Sequence, residues 1–267
     1  MFKNISKGLN AYFQAVELMS KLKLWKYFAI PIIMSLVTFT SIFVLAYALS
    51  DNIGAWISQI WSWEWGKETF ETIGTIIGWA TIIAIGLISY KHIIMAISAP
   101  FMSPVSEKIE AYLIGEEAVH QHRKTSFQQQ LMRGLRLNIR NLFRELFISI
   151  AIIIGGFIIP FIGTAISTVM LFIVQAYYAG FGNMDYTLER HFAYRESIQF
   201  VRRNRNIAIG NGIVFMLFLL IPVIGIIIVL PLSVTAASIN TVNLIKNNPK
   251  LIEFRVADIK PNEIENL

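Results

Sequence analysis

Four arginines, Arg133, Arg136, Arg140 and Arg144, recur at offsets of 0, 3, 7 and 11. That spacing places them along one face of a helix, with Leu131, Leu135, Leu142 and Leu146 on another stripe. A row of guanidinium groups suits the oxygens of phosphate or sulfate. It can hold lipid headgroups at a membrane surface, or form an electropositive vestibule that draws anions to a pore. Residue types leave both readings open, and the same holds for Arg202, Arg203 and Arg205. Lys21, Lys23 and Lys26 form a second basic cluster just before an apolar helix. Free N–H groups and the helix dipole favour an anion there, and the same lysines could instead anchor the helix to anionic headgroups.

Other candidate groups carry less chemistry. Lys91 and His92 interrupt an apolar run, where an ionisable residue is a functional hypothesis unless it snorkels to the surface. Asp185, next to Tyr186, is expected to join a structural network with Arg190 or the 202–205 arginines. His120-x-His122 is read as a solvated loop, since no further ligands accompany it. With no cysteine, thiolate metal sites and disulfides are excluded. There is no G-x-x-x-x-G-K-[ST] loop, G-x-S-x-G elbow or H-E-x-x-H pair, so neither an ATP motor nor these hydrolases is encoded. No catalytic residue, metal or cofactor is assigned, and a membrane-embedded enzyme is disfavoured. Nucleic acid is disfavoured as a partner, because the basic residues flank apolar runs rather than form an aromatic-interleaved soluble domain.

These groups must be positioned by membrane helices. The chain has 267 residues, 55% hydrophobic and only 15% charged, with a mean hydropathy of +0.57. Such a composition rules out disorder and is poorly suited to a single soluble core. The apolar residues cluster in four runs, 28–49, 73–99, 146–180 and 207–245. A spanning helix needs about 20 such residues, so residues 28–49 and 73–99 read as spans. The first is expected to be retained rather than cleaved, because its leader is too long and the run exceeds a signal-peptide core.

The other two runs each carry a breaker. One reads Ile159-Pro160-Phe161-Ile162-Gly163 and the other Ile221-Pro222-Val223-Ile224-Gly225. Proline removes a backbone donor, and glycine accepts the positive φ of a tight turn. Each run is therefore expected to form a helical hairpin, 146–180 and 207–245. The first arms, Leu146–Ile159 and Ile207–Ile221, reach about 21 and 22 Å, short of a hydrocarbon core of about 30 Å. The expectation is an all-α membrane protein with two long spans and two re-entrant hairpins. Their tips, Pro160, Gly163, Pro222 and Gly225, would be buried against the spans or another subunit. A pair of long, kinked spanning helices is the alternative.

Charge orients the chain. Segment 1–27 carries five lysines against Glu17, while loop 50–72 carries Lys67 against Asp51, Glu64, Glu68 and Glu71. Residues 100–145, 181–206 and the tail 246–267 are again rich in Lys and Arg. The positive-inside rule places these segments and both termini in the cytoplasm and the 50–72 loop outside. Trp56, Trp61, Trp63 and Trp65 then form an interfacial belt, with a ligand platform as the other use of such a cluster. Residues 1–245 are read as a single membrane domain.

In order and spacing the motifs resemble those of the CysZ-type sulfate permeases, within the wider EI24-like family. The resemblance rests on Ala99-Pro100-Phe101 leading into Glu107-Lys108-Ile109-Glu110, the two Ile-Pro-x-Ile-Gly breakers, Asp185-Tyr186, and the arginines before Ile207. It runs from about Gly8 to Asn243. It implies two long spans with two pairs of partly penetrating helices, a homo-oligomer in the bacterial inner membrane, and ATP-independent sulfate import for sulfur assimilation. The family's anion site is a short Gly-apolar-Arg-Arg stretch, which here reads Lys23-Leu24-Trp25-Lys26. Only the second cation is kept, as a lysine point charge rather than an arginine fork. The resemblance makes sulfate or a related oxyanion and the bilayer the expected partners. A non-transporting scaffold that binds anionic lipid or a protein through its basic face is the second reading.

Overall fold

The computed structural model describes residues 2–58, 67–115, 125–158, 162–221 and 224–247. Trp61, Trp63, Trp65, Pro160, Pro222, His120, His122 and the tail from 248 lie outside the described residues, as does the Trp56 side chain. Among the described residues the regular structure is all helical. In order it comprises α1 (Phe2–Lys21), a 3-10 turn (Leu24–Phe28), α2 (Ala29–Ser58), α3 (Lys67–Ile97) and α4 (Ala99–Ile114). Then follow α5 (Phe127–Ile158), α6 (Ile162–His191), α7 (Tyr194–Arg203), α8 (Arg205–Leu219) and α9 (Ile224–Lys246).

Among the described residues, three helices are long and apolar enough to cross a membrane by length and composition: Leu24–Ser50, Ile162–His191 and Ile227–Lys246. The α2 helix pairs along α3 and presents Ile33, Leu36, Val37, Val44 and Tyr47 outward, as a lipid-facing helix should. α8, with 15 residues, rises about 22 Å.

The interior is built by close backbone packing. A Cβ placed on Gly180 would strike the Ala208 carbonyl, and one on Gly212 would strike that of Ala176. Ala176 and Gly180 are four apart on α6, as are Ala208 and Gly212 on α8, so two small-xxx-small faces interlock. α1 seats on α8 in the same way, since a Cβ on Gly8 would lie 2.8 Å from Gly210 Cα. Its buried stripe of Gly8, Ala11, Tyr12, Ala15, Leu18 and Met19 follows the helical period. Leu24, Ile94, Met102, Ile109 and Phe215 join that stripe in the main core. The basic N-terminal helix lies beside the end of α9, where Asn240 Nδ2 donates to the Lys7 carbonyl at 3.4 Å.

Two expectations change. The amphipathic segment 127–145 and the first arm of the 146–180 hairpin are one continuous 32-residue helix, α5. In addition, neither Gly163 nor Gly225 has a positive φ; among the described residues only Lys23 (54°) and Gly115 (95°) do. Both tip glycines lie inside the returning helices, and what they supply is proximity. The Gly163 carbonyl is 3.2 Å from where a Cβ on Gly156 would stand, and a Cβ on Gly225 would strike the Phe218 carbonyl. Gly163 is buried by its own hairpin, and neighbouring Ile158 is 76% exposed; Leu220, at the second tip, is 72% exposed. Ile158 and Leu220, the described residues that flank the tips, are thus not covered by the rest of the chain.

Candidate functional site

The lysines precede the first long helix. Lys23 occupies the left-handed region and makes no side-chain cap, so the first N–H groups of the Leu24–Phe28 turn keep no side-chain acceptor there. A left-handed residue is where glycine costs least, which matches the glycine that the related stretch carries. Lys21 Nζ donates to the Tyr112 hydroxyl at 2.5 Å and sits 4.7 Å from that ring. This contact raises the Lys21 pKa above its ordinary value. Lys26 and Lys108 each lie 5.7 Å from the Tyr27 ring. Lys108 and Tyr112 share a face of α4, four residues apart, and bring a fourth cation to the cluster. Sequence reasoning named Lys108 only within the Glu107-Lys108-Ile109-Glu110 motif, not as a cation of this cluster, and did not name Tyr112; their i, i+4 spacing after Pro104 was the available signal. Among the described residues none of these four lysines forms an ion pair. Trp25, where the related stretch has its first arginine, donates from Nε1 to Ser20 Oγ at 3.2 Å and stacks on Phe28.

The arginine row divides. Arg133 turns inward, gripping Asp185 with Nε and Nη2 at 3.0 and 2.8 Å, and donates to the Phe192 carbonyl and Ser197 Oγ. Asp185 thus joins a structural network, but its partner is Arg133 rather than Arg190 or the 202–205 cluster, because α5 crosses α6 there. Arg136 lies over the Tyr194 ring at 4.4 Å and Arg140 over Phe181 at 5.5 Å. Arg140, Arg144, Arg202 and Arg205 all act on Tyr177, so three helices bring them together. Arg203 is exposed. None of these six is paired with a carboxylate among the described residues. Their field is not cancelled locally, as both the vestibule and the headgroup readings require.

Inside, two carboxylates hold the buried cations. Glu110 accepts from Arg190 Nε and Nη2 at 3.1 and 2.8 Å and pairs with His191. Arg190 also donates to Ser106 Oγ and the Tyr186 carbonyl. Ser103 donates to Glu189, and Ser106, Thr187 and Ser238 form a hydroxyl chain. Lys91 and His92 do not snorkel. Both are buried against Glu145, at 2.6 and 3.1 Å, so the charge that breaks the α3 run is met by one from α5. A third thread is uncharged. Asn183 Nδ2 donates to Asn211 Oδ1 at 3.0 Å, and Tyr12 OH reaches the Asn211 carbonyl and Ser233 Oγ. Among the described residues no group of three or more His, Cys, Asp or Glu could hold a metal.

A family model described as "Sulfate transporter CysZ/Etoposide-induced protein 2.4" matches residues 11–229. A protein of Pectobacterium atrosepticum named sulfate transporter CysZ is 25% identical over 234 residues, covering 86% of this chain and 82% of its own. A protein of the same name from Vibrio parahaemolyticus is 23% identical over 237 residues, covering 86% of this chain and 92% of its own.

Proposed function

The chain belongs to the sulfate transporter CysZ/etoposide-induced protein 2.4 family, and we propose that it carries sulfate, or a closely related oxyanion, across the bacterial inner membrane without ATP hydrolysis. The observation that carries this reading is the set of unpaired cations at the mouth of the long helix. Lys21, Lys23 and Lys26, joined by Lys108, surround a helix N-terminus with no side-chain cap. A doubly charged oxyanion would find ammonium donors there and N–H groups along the dipole. The unpaired arginines around Tyr177 would raise the local anion concentration on the basic face. Replacement of the related stretch's first arginine by Trp25 removes a bidentate grip, so selectivity among tetrahedral oxyanions is expected to be looser than an arginine fork would give. Flux of labelled sulfate through the reconstituted protein tests the reading, with sulfate competed against other oxyanions.

The remaining topology belongs to the same proposal. Both termini face the cytoplasm, residues 50–72 lie outside, and the tips at 160–163 and 222–225 stay within the membrane, lining or gating the route between copies of a homo-oligomer. Single cysteines are diagnostic in a chain that has none. Ile162→Cys and Leu220→Cys each place one thiol at an exposed position beside a tip, and the re-entrant reading expects both to resist a membrane-impermeant maleimide added from outside. Ready labelling from outside would mean that the hairpins cross fully.

A further inference from the structure

The Tyr112 hydroxyl is bonded the reverse way from those of Tyr12 and Tyr186. Those two donate their protons to the backbone carbonyls of Asn211 and Met95, at 2.7 and 2.6 Å. At Tyr112 the phenolic oxygen receives a bond from Lys21 Nζ at 2.5 Å. It can only accept there, because an ammonium has three donors and no lone pair. The hydroxyl proton must then point elsewhere, and among the described residues nothing accepts it. Glu17 acts on Lys21 by charge and is not bonded to Tyr112. The Tyr112 side chain is 45% exposed, so an ion can reach that proton. Its place is at the mouth. Lys108, one turn earlier on the same face of α4, stands 5.7 Å from the Tyr27 ring, as Lys26 does. That face of α4 therefore looks onto the Leu24–Phe28 turn, and Tyr112 meets the lysine cluster from the side opposite to its own backbone.

We propose that Tyr112 is a direct ligand of the transported oxyanion, donating its phenolic O–H to one oxygen while Lys21 holds the phenolic oxygen from behind. This role rests on the transport reading and adds a neutral donor to a set of ammoniums. The Lys21 contact does two things. It turns the O–H away from the ammonium, and it draws charge from the phenolic oxygen, which makes the O–H a stronger donor, as in any chain of hydrogen bonds. An O–H···O⁻ bond is short and directional, whereas a lysine is a point charge on a flexible stem. Tyr112 thus fixes how the ion sits among charges that do not. Packing alone asks less of the residue, since a phenylalanine ring offers Lys21 the same face without a proton to give. Free sulfate and a lipid phosphate present the same acceptor oxygens, and the experiment separates the two.

Equilibrium binding of labelled sulfate to the full-length protein in mild detergent is measured alongside flux in proteoliposomes. Tyr112→Phe is expected to weaken binding about tenfold, the loss of one hydrogen bond to a charged group. KM for flux should rise by a similar factor with kcat little changed, and the melting temperature should stay that of the parent. In a Lys21→Met background the same substitution should still weaken binding about threefold; no further loss there would mean that the hydroxyl only positions Lys21. Replacing Tyr112 by 3-fluorotyrosine supplies the sign. The fluorinated phenol is the better donor and the poorer acceptor, so sulfate should bind about twofold tighter, and weaker binding would leave the hydroxyl only its role as acceptor for Lys21. Unchanged binding in Tyr112→Phe, or loss of sulfate from the parent when phosphatidylglycerol is added, would overturn the assignment. A parent that neither binds nor carries sulfate would overturn the transport reading and this role with it. A sulfate-binding parent with an unaltered Tyr112→Phe variant would overturn this role alone.

Discussion

Replacing Glu110 by alanine is expected to lower the unfolding free energy by about 3–5 kcal/mol, the typical cost of removing one partner from a buried ion pair. Glu110 is fully buried on α4, and it faces Arg190 on one oxygen and His191 on the other. Both partners lie in the last turn of α6, itself enclosed by α4 and α9. Removing the carboxylate leaves a guanidinium away from water, hydrogen-bonded to the neutral Ser106 and Ser103 hydroxyls and backbone carbonyls, with Glu189 acting on it as well. Glu110→Gln keeps the shape and one acceptor, and should fall between the parent and alanine. Thermal unfolding in detergent, followed by tryptophan fluorescence, measures the series. If Glu110→Ala melts at the temperature of the parent, this cluster does not hold the helices together.

The second large effect is steric. Gly212→Ala is expected to destabilise the protein by about 2–3 kcal/mol, near the upper end of the range for overpacking. The added Cβ meets the backbone carbonyl of Ala176 rather than a side chain that could turn away. The interlocked faces of α6 and α8 would have to part, and Gly180 would lose its close fit on Ala208 at the same time. Gly155 is the control, since a Cβ there would meet nothing within 4 Å. Gly155→Ala should be neutral or slightly stabilising, because alanine is the better helix former. A common melting temperature for both variants would contradict the close approach of α6 and α8.

The helices were legible in the sequence because each apolar run exceeds what a loop could carry. The need for a partner at Lys91 and His92 was legible too, since a cation inside an apolar run requires one. The identity of that partner was not. Glu145 closes an apparently polar segment, and only the rotation of α5 turns it toward α3. The same rotation took Arg133 to Asp185. One sequence carries helix periods but not the phase at which two helices cross. The arm arithmetic failed to anticipate the continuity of α5 for a related reason. Counting uncharged residues treats Arg133, Arg140 and Glu145 as ends of the apolar segment. On the folded helix Arg133 and Glu145 pair inward and Arg140 stacks on Phe181, and apart from Arg136 the outer face stays apolar from Met132 to Ile158. That stripe extends about 39 Å along α5. The lysine cluster was legible in part. Lys21, Lys23 and Lys26 stand close in the chain, whereas Lys108 arrives only because α4 folds back beside the 3-10 turn.

The claim at the centre of this account is that the unpaired cations at that mouth admit an oxyanion. Uptake of labelled sulfate into proteoliposomes tests it most directly. Vesicles containing the protein should accumulate sulfate well above empty vesicles with no ATP inside. Lys26→Ala should reduce the initial rate by about threefold or more, as expected for loss of one charge beside a helix N-terminus, while its melting temperature stays that of the parent. Uptake no greater than that of empty vesicles, for sulfate and for a panel of other oxyanions, would contradict it.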